Sequence, residues 1–548
     1  MERIEELRKI PIEQVMDTRS PRQRAGGSAT AQDDYALRRV PSTWRWSAWS
    51  TLWAFSGMST AMASPLTAAL LAHDFGAPAT ILALLATLIY TCIGVWIMAR
   101  KASEEGAILE LMSKHTFGFR GSAFQFVILG LLGTIYFSLE AHVMAVALTE
   151  AFPLIGYQMG VAIICIGFVP LTLYGMQFLT RFQSITIWIY IAGIVAAFVG
   201  LAQGWSDTVK TALIGGHWWT VSPNHVALSW QGVLGAFGVY SGLFGSILIL
   251  LSTDTARFAR REEAVKAATL TSLIGATIPV LATPLLGIYL LACSAGQVVD
   301  PGIALVRVLA TYGLLLVVVT QLRVNVINAY FGTNALENFS SQVLKLRWNR
   351  STYLAPFMLV VFLITTSHFL DYFSTIMTII SVFLFNWTMV FFGEVTFVRR
   401  RFGLPQWSEF RRAYTARYNF IGLVSLWLPT ALGIALASGV IGQTARLWAV
   451  PVAGSMAFLF PLIITLGRNS DWVVSQYFAR MPATVAALAV EQTCSICHGD
   501  YHRSDYVQCP YHQNKYICSK CCAVEKSCGE ICQTQSMEAQ VRNARGLA

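Results

Sequence analysis

The sequence predicts an all-α polytopic membrane protein that carries a small cysteine-rich module towards its C-terminal end. Three observations predict it. Hydrophobic residues make up 55% of the 548 residues and charged residues only 12%, about half the roughly 25% usual in a soluble globular chain. From Trp46 onward, apolar runs of about 20 residues recur, each long enough to cross roughly 30 Å of hydrocarbon. Eight of the eleven cysteines fall between Cys494 and Cys532. A mean hydropathy of +0.55 excludes a disordered or fibrous chain and disfavours a soluble enzyme, whose core needs no such apolar surplus. The net charge of +10 is read through topology, and nucleic acid is not an expected partner.

Residues 1–45 form a polar tail containing Gly26-Gly27-Ser28, without the short apolar run and small-residue site of a signal peptide. Residues 46–468 form the membrane domain. Its twelve predicted spans are 47–72, 79–99, 122–148, 158–178, 182–202, 230–252, 267–293, 303–331, 353–370, 372–397, 419–441 and 448–467. Loops on one side carry Arg100, Lys114, Arg257, Lys345 and the Arg399-Arg400-Arg401 run, whereas those on the other side offer only Lys210 and Arg446. The positive-inside bias therefore puts both termini in the cytoplasm and the domain in the inner cell membrane. The 203–229 loop then lies outside, with Trp218 and Trp219 as interface anchors. Residues 469–493 are an amphipathic linker, because Asp471, Arg480 and Pro482 interrupt the apolar run 471–490. The Cys-rich module occupies 494–535, and 536–548 are a tail.

Polar residues inside spans are expensive and mark cavities or partners. Glu140 lies in the third span, with Tyr136 four residues earlier on the same helical face. An aromatic ring stacked beside an acceptor suits a flat, hydrogen-bonding ligand; a protonated Glu140 bonded to a neighbouring helix is the other reading. In the eighth span Gln321, Asn325 and Asn328 form one stripe of amides. Such a stripe either reads a heterocycle's edge or glues helices together. Arg323 falls on a different face and, by these boundaries, close enough to the inner interface to snorkel. The sixth span holds Gly232, Gly235, Gly238, Gly242 and Gly245, which allow either close packing or a local break beside Ser246. The first span, through FSGMSTAMASP, has a comparable interruption whose carbonyls could ligate a cation.

Four stretches resemble the nucleobase–cation symporter family, the permeases for purines, cytosine, uracil, thiamine, allantoin and hydantoins. They are VPSTWRWSAWSTLWAFSGM, YFSLE, STDTARFARREE and TQLRVNVINAY. The likeness covers about residues 35–468 and implies a LeuT-type fold, two inverted five-helix repeats plus two further helices. It also implies a substrate site at Tyr136, Glu140, Asn325 and, in the sixth span, Phe244 or its neighbour Gly245, with Gln321 on the same amide stripe. The family's sodium site uses carbonyls of the broken first helix and two adjacent hydroxyls of the eighth. One of these positions falls on Thr320 but the other on Val319. The coupling ion is therefore left open between Na+ and a proton carried by Glu140.

The cysteine pattern is Cys494-x2-Cys497, Cys509-x2-His512, Cys518-x2-Cys521 and Cys528-x3-Cys532. Short spacings direct two side chains to one ion, and thiolates with imidazole suit Zn2+. Alternating pairs predict two structural zinc ions in a cross-brace, pairs one and three holding the first and pairs two and four the second. Cys522 is a substitute for His512. A module this small has too little core to fold without metal. The pattern also resembles the Cys-rich linker of bacterial sensor histidine kinases that carry a symporter-like membrane module, which implies a cytoplasmic signalling partner. Two functions follow as expectations. The first is a secondary transporter for a nucleobase-like or related N-heterocyclic small molecule. The second is a ligand sensor signalling through the zinc module. The membrane core contains no nucleophile–base pair, so an enzyme is not expected.

Overall fold

The structure, a computed structural model, describes residues 35–173, 176–204, 227–293, 300–367, 373–479, 493–499, 505–513 and 515–529. Trp218, Trp219, Arg480, Pro482 and Cys532 lie outside the described residues. The predicted first span is two helices, α1 (Ala48–Phe55) and α2 (Ala63–Phe75). Next come α3 (Ala77–Glu105), the short α4 (Leu109–Phe117), α5 (Ala123–Ala151), α6 (Tyr157–Leu173) and α7 (Met176–Gly204). The second half holds α8 (Trp230–Ala256), α9 (Arg261–Ala292), α10 (Pro301–Leu309), α11 (Thr311–Phe339) and α12 (Leu354–Thr366). It ends with α13 (Ile376–Phe402), α14 (Phe420–Ala437), α15 (Gln443–Leu447), α16 (Ala449–Thr465) and α17 (Ser470–Tyr477).

Among the described residues, eight helices are long and apolar enough to cross a membrane, and α6, α12 and α16 are shorter apolar helices. Each of the twelve predicted runs overlaps one of these helices or the α1–α2 pair, the eighth only in part. Their outward faces carry bare aliphatics such as Ile89 and Ile166, 64% and 72% exposed. Only a lipid solvent tolerates such a surface over so many helices. The chain is an integral membrane protein.

The predicted eighth span, 303–331, is corrected. Its apolar run folds as two helices, α10 and α11, joined at Ala310 with φ 49° and ψ −126°. Asp300 caps α10 by accepting from the Gly302 and Ile303 amides, with Pro301 at the first helical position. Hydropathy registers none of this, because both helices are apolar. The shift moves the eighth span's centre to Asn325 and its C-terminal end to Phe339. In the sixth span the chain stays helical through a π-turn at Ser241–Ser246. There Gly242 lies so close to α13 that a Cβ would stand 2.4 Å from the Ser381 carbonyl oxygen. Packing, not an open break, explains that glycine. Of the linker, residues to 479 are described. The helix α17 is capped by Asn469 and buries Val473, Val474 and Tyr477 against Val398, Phe402, Trp407 and Ile421.

The module is a two-stranded antiparallel hairpin, β1 (Tyr506–Cys509) and β2 (Lys515–Cys518), followed by α18 (Ser519–Val524). It is docked on the membrane domain by side chains that donate to its backbone. Arg411 reaches the Tyr506 carbonyl at 2.9 Å, Arg412 that of Glu525 at 3.0 Å and Lys345 that of Ala523 at 3.2 Å. Ser519 in turn donates to the Leu37 carbonyl at 3.0 Å.

The helices α5 and α11 run antiparallel in close contact: Gly130 meets Leu336, and Gly133 meets Gly332. A Cβ on Gly133 would lie 2.7 Å from the Gly332 Cα, which backbone cannot yield cheaply. Gly133→Val is expected to destabilise the protein by about 1–3 kcal/mol, seen as a lower thermal midpoint of the detergent-solubilised protein. An unchanged midpoint would show that the two helices do not set the fold.

Candidate binding site at the helix break

Breaking a helix inside a membrane exposes backbone groups that no water satisfies. Here α1 ends at Phe55, and α2 begins at Ala63. The amides of Met62 and Ala63, which open α2, donate to Glu140 Oε2 and Oε1 at 2.8 and 3.0 Å. The carboxylate thus sits at the positive end of the α2 dipole. At the other side of the break, Arg323 Nη2 donates to the Ser56 carbonyl at 3.2 Å and to Ser56 Oγ at 3.0 Å. That places a guanidinium at the negative end of α1. The predicted snorkelling of Arg323 is wrong. Its side chain is fully buried, and its Nη1 bonds Gln183 O at 2.7 Å and Thr186 Oγ1, both on α7. The error came from the span boundary, since on the observed α11 this residue is two positions from the helix centre.

The amide stripe is buried: Gln321 and Asn325 are 0% exposed and Asn328 6%. Asn328 Nδ2 donates to Asn325 Oδ1 at 3.1 Å, which leaves Asn325 Nδ2 without a partner. Gln321 lies beside the Glu140 carboxylate but forms no well-shaped hydrogen bond, so both its amide atoms are buried and unpartnered. Buried amides of this kind are rare in finished cores, because each costs about 1–3 kcal/mol. Tyr136, one turn before Glu140, donates its hydroxyl to the Leu243 carbonyl at 2.7 Å. It shares an apolar cluster with Leu243 and Phe244, and Phe244 lies 4.8 Å from the Tyr240 ring, centroid to centroid. Glu140 and Gln321 are therefore neighbours, Asn325 is one turn further along α11, and Tyr136 is tied beside Phe244. Thr320 Oγ1 donates to Val317 O at 2.7 Å, and its carbonyl accepts from Thr60 Oγ1 at 3.1 Å. The roles of Thr60 and Ser56 were not read from sequence, where hydroxyls in the first span carried no spacing signal.

In the module, Cys494, Cys497, Cys518 and Cys521 converge, with all four sulfurs within 4.8 Å of one another. These are the first and third predicted pairs. The Cys518 amide points at Cys494 Sγ (3.3 Å) and the Cys521 amide at Cys518 Sγ (3.4 Å), contacts that stabilise thiolates. Four thiolates at this separation fit a tetrahedral ion. Of the second predicted set, Cys509 and Cys528 are buried, Cys528 accepts from Arg412 Nη2 at 2.9 Å and His512 Nε2 faces Glu525 at 3.4 Å. No second convergent group forms among the described residues, and Cys532 lies outside them.

No protein-family model matches the chain, and no curated protein matches it in sequence. Its fold is nonetheless shared with solved transporters. Mhp1, a nucleobase-cation-symport-1 family transporter in a closed conformation with bromovinylhydantoin bound, superposes with a TM-score of 0.63 at 16% identity, over 81% of this chain and 96% of that one. The inward-facing conformation of Mhp1 gives 0.60 at 15% identity, over 80% and 97%. A Na+-coupled sialic acid symporter in a substrate-bound outward-open state gives 0.53 at 11%, over 85% and 96%. The chain has the LeuT-type transporter fold, and these structural relatives are transporters, not enzymes.

Removing the Glu140 carboxylate would leave the α2 amides unpaired in a dry core. Glu140→Ala is expected to lower stability by about 1–3 kcal/mol and Glu140→Gln, which keeps one acceptor, by less. Thermal unfolding of the solubilised variants measures both. Equal midpoints for wild type and Glu140→Ala would remove the carboxylate from the break.

Proposed function

We propose that the protein is a member of the nucleobase–cation symporter family and a secondary transporter. It would move a nucleobase-like or related N-heterocyclic small molecule by alternating access, through twelve membrane crossings with both termini cytoplasmic. One observation carries the reading: Gln321 and Asn325 present unpartnered amide atoms in the buried centre of α11, beside Glu140 and near the Tyr136–Phe244 aromatics. Amides donate and accept, which is what the edge of a flat heterocycle requires, and the aromatics supply faces for its ring. Bound bromovinylhydantoin in Mhp1 is a ligand of that kind. Glu140 is the group proposed to carry a coupled proton, because it lies at the break whose geometry changes as the site opens to either side.

A second reading is favoured by the docking of the module. Its hairpin and α18 are held by Arg411, Arg412 and Lys345 from the loops between membrane helices. A conformational change in the core would thus reach a cytoplasmic partner through the module. In this reading the protein is a ligand sensor with a transporter-like core.

Uptake of labelled N-heterocycles into proteoliposomes, measured beside binding to the same protein, decides between the two. Saturable uptake supports transport, binding without flux supports sensing, and neither result would refute the heterocycle reading altogether. Glu140→Gln is expected to retain binding and flatten its pH dependence; an unaltered pH profile would exclude the carboxylate as proton carrier.

We also infer that the module holds two structural Zn2+ ions, the first on Cys494, Cys497, Cys518 and Cys521, the second on Cys509, His512, Cys528 and Cys532. Elemental analysis is expected to give about two zinc per chain, falling to about one in the Cys494→Ser/Cys497→Ser double variant. Reduced protein without bound metal would overturn the assignment.

A further inference from the structure

A sodium ion at the break of a LeuT-type first helix needs carbonyl oxygens of the interrupted segment and hydroxyls of the eighth span. The residues present do not fit it. The side chain of Val319 has no oxygen to give. Thr320 Oγ1 is turned back to the Val317 carbonyl, and Thr60 Oγ1 donates to the carbonyls of both Gly57 (2.9 Å) and Thr320 (3.1 Å). At the end of α1, Ser56 O and Ser56 Oγ are held by Arg323.

The arginine is built into place from three helices. Its side chain from α11 bonds Ser56 at the end of α1 and Gln183 and Thr186 on α7. Gln183 answers through its own side chain, Nε2 donating to the Arg323 carbonyl at 2.8 Å. Among the described residues no carboxylate lies within ion-pair distance of the guanidinium, so backbone carbonyls and hydroxyls solvate its charge, as they would that of a bound ion. A second unit positive charge about 4 Å away, at an effective dielectric of about 20, would bind on the order of a thousandfold more weakly than with a neutral residue there.

We propose that Arg323 is a resident cation: its guanidinium takes the place of a coupling sodium ion at the helix break, so the α1–α7–α11 junction forms without Na+. The proposal deepens the transporter reading but is tested on the ligand-free protein, so it fails or stands independently of the heterocycle. Arginine suits the role better than lysine, because its planar fork serves Ser56 with one nitrogen and α7 with the other.

The test compares thermal midpoints of the full-length solubilised protein in NaCl and choline chloride at equal ionic strength, together with equilibrium binding of labelled Na+. Wild type is expected to show equal midpoints and no saturable Na+ binding. Arg323→Ser, which opens the space and leaves an oxygen, is expected to fall in midpoint. It should recover in millimolar methylguanidinium or gain a saturable, Na+-specific stabilisation. Specific Na+ binding or stabilisation in wild type would overturn the proposal, and so would an Arg323→Ser protein that neither cation restores. If Arg323→Ser does not fold, Arg323→Lys decides with the wild-type binding data: folding with no Na+ response supports a required charge, and Na+-dependent folding refutes it.

Discussion

The interruption of the first membrane helix is the constraint on which the rest of the core depends. A helix can be broken in hydrocarbon only where something else meets its free amides and carbonyls. The chain meets them with two side chains of opposite charge, Glu140 on the opening amides of α2 and Arg323 on the closing carbonyl of α1. Each charge stands against the helix dipole end that favours it. Both come from the most closely packed helix pair, α5 and α11, where Gly133 and Gly332 let the backbones touch. Packing and electrostatics are thus one device: the glycine contact fixes the register that delivers both charges to the break.

That device also explains why the core tolerates unpartnered amides. The elements around Gln321 and Asn325 are pinned from outside the stripe, by Tyr136 on Leu243 and by Arg323 on α7. The amides therefore have no freedom to collapse onto one another beyond the single Asn328–Asn325 bond. Their desolvation is a standing cost that a bound ligand would relieve. Glu140 differs from them: its oxygens are already engaged by the backbone amides that open α2, so it shapes the break directly.

Much of this was legible in the sequence, because membrane helices advertise themselves by length and apolarity. The breaks in FSGMSTAMASP, the Tyr136–Glu140 face and the amide stripe were all visible as polar residues at helical spacing. So was the pairing of Cys494 and Cys497 with Cys518 and Cys521, since knuckle spacing is a local property. What escaped was set by turns that hydropathy does not see. The bend at Ala310 joins two apolar helices, and missing it displaced the eighth span and made a central arginine look peripheral. The bonding roles of Ser56 and Thr60 also escaped, because hydroxyls that bond backbone leave no periodic trace.

The hydroxyl of Ser519 holds the carbonyl of Leu37, in the segment that leads into α1. Residues almost five hundred positions apart are thereby fastened at one point. The module is thus tied both to loops of the membrane domain, through Arg411, Arg412 and Lys345, and to the segment that enters the broken helix, so a load on it is shared between them. Cys497, one of the four convergent cysteines, is exposed, so oxidants in the surrounding water can reach that cluster without entering the membrane core.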